Sequence, residues 1–170
     1  MMYQQRIVLY KIRKPISFGR KAQSIGLYDA NKITSPNART VLRGWNPVDT
    51  HHGRQLRIRD IQVESFGNER CNQLIYKFLE GVFKSSVQYQ QEDLSRILDR
   101  VALPKGYACA AKSANQQFVQ ADDYIVDGAT LLKDDQLIGL LSGYSNFGSM
   151  HYTYIDIAFY RSWIKRISGV

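Results

Sequence analysis

The chain has 170 residues, with 44% hydrophobic, 12% aromatic and 22% charged positions, and 23 Lys and Arg against 15 Asp and Glu set its net charge at +8. That composition fits one globular domain, or slightly more, and excludes a disordered tail, a collagen-like repeat and a coiled coil. No stretch approaches the roughly eighteen consecutive apolar residues of a membrane span, so no membrane partner is expected.

In chain order, Arg6-Ile7-Val8-Leu9-Tyr10-Lys11-Ile12 is β-branched and apolar and stops at Pro15, which predicts a strand. Thr40 to Trp45 reads as a second strand, followed by turn chemistry from Asn46-Pro47 to His52-Gly53. Leu56, Ile58, Ile61 and Val63 alternate with polar residues in a third strand, with an irregularity expected at Asp60. Cys71, Leu74, Ile75, Phe78 and Leu79 have helical spacing, and Asn68 is placed to cap that helix. The glutamine-rich stretch 84–100 reads as a loop with a short helix around Leu94, Ile97 and Leu98.

Strands return at Gly106 to Ala110, at Ala129 to Leu132 and at Gln136 to Ser142, the last two joined by the turn Lys133-Asp134-Asp135 as a hairpin. A final strand around Tyr152 to Ile157 precedes a helix in which Tyr160, Trp163, Ile164 and Ile167 form one apolar stripe. Many short strands and a closing helix predict an all-β barrel or sandwich.

Basic residues are scattered, with clusters at Lys11, Arg13, Lys14, Arg20 and Lys21, at Arg54, Arg57 and Arg59, and at Arg161, Lys165 and Arg166. No zinc finger, aromatic RNA-binding motif or phosphate loop accompanies them, so nucleic acid is not an expected partner. The terminal cluster Arg161, Lys165 and Arg166 is a candidate surface for an acidic polysaccharide. His51 and His52 read as a surface turn pair and, with His151, lack the spacing of a metal site.

The fragments Ile7 to Ile16, Ser24-Ile25-Gly26-Leu27, Gly44-Trp45, Leu56 to Val63, Cys71, Tyr107 to Ala110, Leu137 to Ser142 and Tyr154 to Ile164 resemble, in sequence order, the landmarks of trypsin-like (chymotrypsin-family) serine proteases. The closing segment is most similar to arthropod members, inactive mite paralogues among them. The resemblance implies the second six-stranded antiparallel barrel of that fold plus a C-terminal helix, with residues 1–20 as the end of the first barrel and the crossover, 21–158 as the second barrel and 159–170 as the helix. It starts only at the strand that carries the family's catalytic aspartate, so the expectation is an N-terminally incomplete domain.

Such a protease needs a serine activated by a histidine that an aspartate orients. The position matching the aspartate holds Arg6, and counting back from Leu137 places Asp127, or Gly128 with a one-residue deletion, at the nucleophile. None of the three histidines falls in a segment matching the catalytic loop. The primary specificity pocket is altered at Ala121, Asp122 and Asp123, and Ser142 is followed by Gly143 and Tyr144 where the family has Trp-Gly. Cys71 and Cys109 resemble a family disulfide pair, and the implied bond closes a loop of about 40 residues for roughly 4 kcal/mol.

The resemblance therefore implies a catalytically inactive, extracellular homologue that needs no cofactor or metal and binds protein partners in a proteolytic cascade as decoy, cofactor or inhibitor. The alternatives are the C-terminal part of a working serine endopeptidase and a basic polysaccharide-binding protein.

Overall fold

A computed structural model of the protein describes residues 7–20, 22–29, 40–50, 53–84, 96–97, 99–112, 125–147 and 150–169. Seven strands and two longer helices occur among them: β1 (Gly26–Leu27), β2 (Thr40–Thr50), β3 (Gly53–Phe66), α1 (Asn68–Lys84), β4 (Tyr107–Lys112), β5 (Thr130–Lys133), β6 (Gln136–Phe147), β7 (Met150–Asp156) and α2 (Ile157–Ser168). The strand order is β1-β6-β5-β2-β3-β4-β7, and β7 pairs again with β6. The second β6 pairing closes the ring β6-β5-β2-β3-β4-β7 as a six-stranded antiparallel barrel, the architecture the resemblance implied. Strand β1 lies parallel to the start of β6.

Alternation along the strands separates two cores. In β4, Ala108 and Ala110 face the barrel interior, where they meet Leu42, Ile61, Leu131, Tyr152 and Tyr154, whereas Tyr107 and Cys109 face outward into a second cluster with Ile75, Leu103, Ile155, Tyr160 and Ile164. Burial on both faces explains why all six residues of β4 are inaccessible. The small interior alanines sit opposite the largest side chains, since Ala108 pairs with Tyr154 and Ala110 with Tyr152. Gly139 meets the same constraint from β6, because a Cβ there would collide with the Tyr154 ring.

The helix after β3 follows its predicted periodicity, burying Cys71 and Ile75. Asn68 does not act as the cap. Its side-chain amide donates to the carbonyls of Pro104 (2.9 Å) and Tyr107 (2.8 Å), and the Asn72 carboxamide both accepts from Leu103 N–H (2.7 Å) and donates to Leu103 O (3.1 Å). Two asparagines one turn apart thus clamp the approach to β4. Between α1 and β4, residues 96–97 and 99–101 are helical, as the short helix around Ile97 required.

The hairpin between β5 and β6 has two residues, Asp134 (φ 48°) and Asp135 (φ 57°), both in the left-handed region that a type I′ turn demands. Asp156 caps α2 by accepting a 2.9 Å bond from Ala158 N–H, so the helix begins at Ile157 instead of at residue 159. Tyr160 and Ile164 of the predicted stripe are buried and Trp163 is half-buried, but Ile167 is 59% exposed because the last turn runs past the barrel.

Three further local expectations are overturned. Residues 7–12 form no strand: Val8 (62%), Tyr10 (87%) and Ile12 (60%) are exposed and the segment joins no ladder, so β-propensity alone does not make a strand without a neighbour. Within the turn expected over residues 46–53, residues 46–50 and Gly53 are strand instead, with β2 pairing β3 without interruption from Thr40↔Val63 to Thr50↔Gly53, while His51 and His52 lie outside the described residues. Beyond Arg43, β2 has lost β5 as a neighbour, and an edge strand tolerates Pro47. Asp60 is no irregularity: it stands in register opposite Arg43.

Candidate functional site

The β2–β3 hairpin, the segment 125–129 and the middle of β6 converge on one side of the barrel. Gly44 permits the approach, because a Cβ there would overlap both Ala129 and Ile125, which gives the Gly44-Trp45 pair a steric reason. Trp45 O accepts from Val126 N–H at 2.9 Å, Leu141 O accepts from Gly128 N–H at 2.8 Å, and Leu141 N–H donates to Ala129 O at 2.8 Å. Thr130 Oγ1 donates to Arg43 O at 3.2 Å. Gly128, with φ of 85°, takes the left-handed conformation that turns the chain into β5.

Tyr144 reaches across from β6 and its hydroxyl bonds both the N–H and the C=O of Ile125. The tyrosine that follows Ser142-Gly143 therefore braces the turn bearing Asp127. Its ring also packs on Tyr152, with centroids 5.5 Å apart.

A cleft of about 290 Å³ opens over this turn, lined among others by Arg43, Trp45, Ile58, Val126, Asp127 and Thr130. Arg43 is held from β3 by a bidentate pair, Nε to Asp60 Oδ1 at 2.7 Å and Nη2 to Asp60 Oδ2 at 2.6 Å. The hydrogen bonds from Arg43 hold the Asp60 carboxyl below the usual carboxylate range. Both side chains are about half exposed, so the pair orients Arg43 more than it stabilises the fold, by less than about 1 kcal/mol. Next to that pair on the same face stand the cross-strand pairs Trp45↔Ile58 and Pro47↔Leu56, with Trp45 51%, Ile58 64% and Leu56 59% exposed.

The sequence-predicted site residues are distributed as follows. Asp127 and Gly128 lie at the mouth of the cleft, and Ser142, Gly143 and Tyr144 succeed one another on β6. Arg6, Ala121, Asp122, Asp123, His51 and His52 lie outside the described residues, and His151 falls within β7. Cys71 and Cys109 form the implied disulfide, fully buried between α1 and β4 with Cα atoms 5.8 Å apart. Of the basic trio on α2, Arg161 is tied to Asp29 by a 2.7 Å ion pair that anchors the segment after β1, so its charge is balanced within the fold. Lys165 and Arg166 are exposed. Among the described residues, no three His, Cys, Asp or Glu side chains converge as metal ligands, and no helix is long and apolar enough to cross a membrane.

Sequence reasoning missed the Arg43–Asp60 and Arg161–Asp29 pairs, the Tyr144 brace and the exposed Trp45–Ile58 stripe. The first was recoverable, since an uninterrupted hairpin register that pairs Trp45 with Ile58 also pairs Arg43 with Asp60. The others depend on contacts between distant segments.

No protein-family model matches the chain. Solved structures of trypsin-like serine proteases do superpose on it. Neuropsin, a serine protease expressed in the limbic system of mouse brain, is 18% identical, with a TM-score of 0.54 over 92% of this chain and 58% of that one. The scabies mite inactivated protease paralogue S-D1 is 15% identical, with a TM-score of 0.53 over 92% of this chain and 59% of that one. Kallikrein-related peptidase 10 is 16% identical, with a TM-score of 0.51 over 92% of this chain and 62% of that one. The chain thus has the chymotrypsin-like fold and spans about three fifths of the length of the structures it matches.

Proposed function

We propose that this chain, with its chymotrypsin-like barrel, is a non-catalytic homologue of trypsin-like serine proteases that binds protein partners in an extracellular proteolytic cascade as decoy, cofactor or inhibitor. The observation that carries the reading is the turn Val126-Asp127-Gly128-Ala129-Thr130, which lines the cleft and contains Asp127 and Gly128, the two residues that the count back from Leu137 matches to the family's serine. A carboxylate or a glycine cannot replace an imidazole-activated hydroxyl, and loss of the nucleophile alone costs a protease of this kind about a millionfold in rate. Likeness in fold to an inactivated mite paralogue agrees with this reading.

Binding of a protein is favoured by the stripe beside the cleft. Trp45, Ile58 and Leu56 are large, exposed and adjacent, and an aromatic anchor flanked by an oriented arginine is the composition of an interface centre. The buried Cys71–Cys109 disulfide suits an oxidising, extracellular setting.

A fluorophosphonate activity probe tests the catalytic half of the proposal. The chain is expected to remain unlabelled under conditions that label trypsin to completion, and covalent labelling within residues 125–130 would overturn it in favour of a working endopeptidase. In a complement lysis assay the chain is expected to reduce lysis, and the double variant Trp45→Ala/Ile58→Ala to lose that effect while keeping its melting temperature. Unchanged inhibition by the variant would remove the stripe as the binding surface.

A further inference from the structure

The β2–β3 hairpin runs on past the barrel as a two-stranded ribbon, and its two edges differ. Strand β3 extends from Gly53 to Phe66, yet β4 joins it only from Val63↔Lys112 to Phe66↔Cys109. Among the described residues no other strand joins β3 on that side before Val63, so this stretch is a sheet edge. The outer edge of β2 is broken by Pro47, which has no N–H to offer a ladder, whereas β3 carries neither proline nor register shift along its pairing with β2. Alternation gives the β3 edge two chemically distinct faces. Leu56 and Ile58 stand on the outer face with Trp45, and both are exposed. Arg57 and Arg59 stand on the other face, the side of Ile61 and Val63, with Arg57 exposed and Arg59 half-buried. Their cross-strand neighbours on β2, Asn46 and Gly44, carry no charge. The Asp60 carboxylate lies on the outer face and already holds Arg43.

We infer that the β3 edge accepts an extended segment of a partner protein as an added strand, and that this segment alternates acidic with apolar residues. The inference rests on the reading of the chain as a protein-binding homologue and adds what the partner presents. Backbone hydrogen bonds along the edge supply affinity without regard to sequence, and the two faces select the side chains. On the face of Arg57 and Arg59 the incoming strand is favoured to carry Asp or Glu, because opposite charges on adjacent strands attract. On the other face Val, Ile or Leu would cover Leu56 and Ile58. The same rule disfavours a second copy of this chain. Antiparallel self-pairing centred on Ile58 would set Arg57 of each copy opposite Arg59 of the other, and like charges directly opposite repel.

The test is fluorescence anisotropy of the full chain with labelled, end-capped peptides of about eight residues, the reach from Gln55 to Gln62, at physiological ionic strength. A peptide alternating Glu and Val is expected to bind at least about tenfold more tightly than one alternating Lys and Val, and than a Glu/Val peptide of the same composition with the alternation scrambled. N-methylation separates strand addition from charge alone, since only every second N–H of an added strand faces the edge. Methyl groups on one alternate set of amides should abolish binding, and on the other set should change it less than about twofold. Arg57→Glu/Arg59→Glu should reverse the preference in favour of the Lys/Val peptide. The N-methyl series uses the parent chain and stands whatever that variant does to folding. Equal sensitivity to the two N-methyl sets, equal binding of the scrambled peptide, or a dimer of the chain that Arg57→Glu/Arg59→Glu dissociates would each overturn the inference. Absence of peptide binding, with lysis inhibition that still depends on Trp45 and Ile58, would overturn it and leave the protein-binding reading in place. Peptide binding by a chain without effect on lysis would support it and remove the cascade role instead.

Discussion

The Tyr144 hydroxyl closes on both backbone polar groups of Ile125, joining β6 to a turn nineteen residues away in sequence. Ile125 is fully buried, so without this partner its N–H and C=O would be stranded out of water. Tyr144→Phe is therefore expected to cost about 1–3 kcal/mol in denaturant unfolding. Faster amide exchange should appear first at Val126 to Ala129, and unchanged exchange there would show that the turn is held by its ladder bonds alone.

Burial raises the Asp156 carboxyl above its ordinary range, although hydrogen bonds from the amides of Ala158 and Phe159 pull it the other way. A folded-state value above the unfolded one means that the native state holds the proton more tightly. Stability from this group is thus fully present below the unfolded value of about 4 and declines as pH rises through the folded value. Asp156→Asn keeps an acceptor for Ala158 N–H without the buried charge. The stability difference between this variant and the parent should shift in the variant's favour as pH rises from about 4 toward neutrality, while Asp156→Ala, which also lacks the carboxyl, should follow the same trend about 1 kcal/mol below Asp156→Asn for want of the cap. Urea titrations across that range measure both.

Cys71 and Cys109 have no measurable exposure, so the disulfide is shielded from small reductants in the native state. Iodoacetamide should label neither residue until reductant and denaturant are both present. Cys71→Ser/Cys109→Ser should lower the unfolding free energy by roughly 4 kcal/mol on the loop-entropy model, since the bond spans 38 residues of separation. A loss below about 1 kcal/mol would mean that the α1–β4 packing already restrains the unfolded chain.

The β5–β6 turn places two aspartates at positive φ, where Asn-Gly is the favoured pair. Asp135→Gly should stabilise the hairpin by up to about 1 kcal/mol through relief of left-handed strain, partly offset by the glycine's entropy. Thermal unfolding reads the sign directly.

The barrel strands, both helices and the hairpin turn were legible because alternation, helical spacing and turn chemistry act locally. Leu42, Ile61 and Val63 sit where their spacing placed them. What local reasoning could not see is whether a strand-like segment has a neighbour. Val8, Tyr10 and Ile12 have the composition of a strand and no ladder to join, whereas Asn46 and Pro47 look like turn residues and are carried along by the opposite strand β3. The site divides the same way. Asp127 and Gly128 were found by counting from Leu137, but the residue that secures their turn, Tyr144, was read only as an altered pocket wall. Its bond to Ile125 exists only after the barrel has closed.

That closure also sets an order of events during synthesis. Strand β4 pairs with β7, from Tyr107↔Ile155 to Ala110↔Tyr152, and β1 pairs with β6 at Gly26↔Gln136. As the chain leaves the ribosome, α1 and β4 emerge with both cysteines long before β7 exists, and the bond between Cys71 and Cys109 can form on a sheet that still has two open edges. An oxidase acting early would then fix the α1–β4 unit and leave the last strand to arrive as a keystone. A chain stopped short of Tyr152 would expose β4 and β6 to any neighbouring strand.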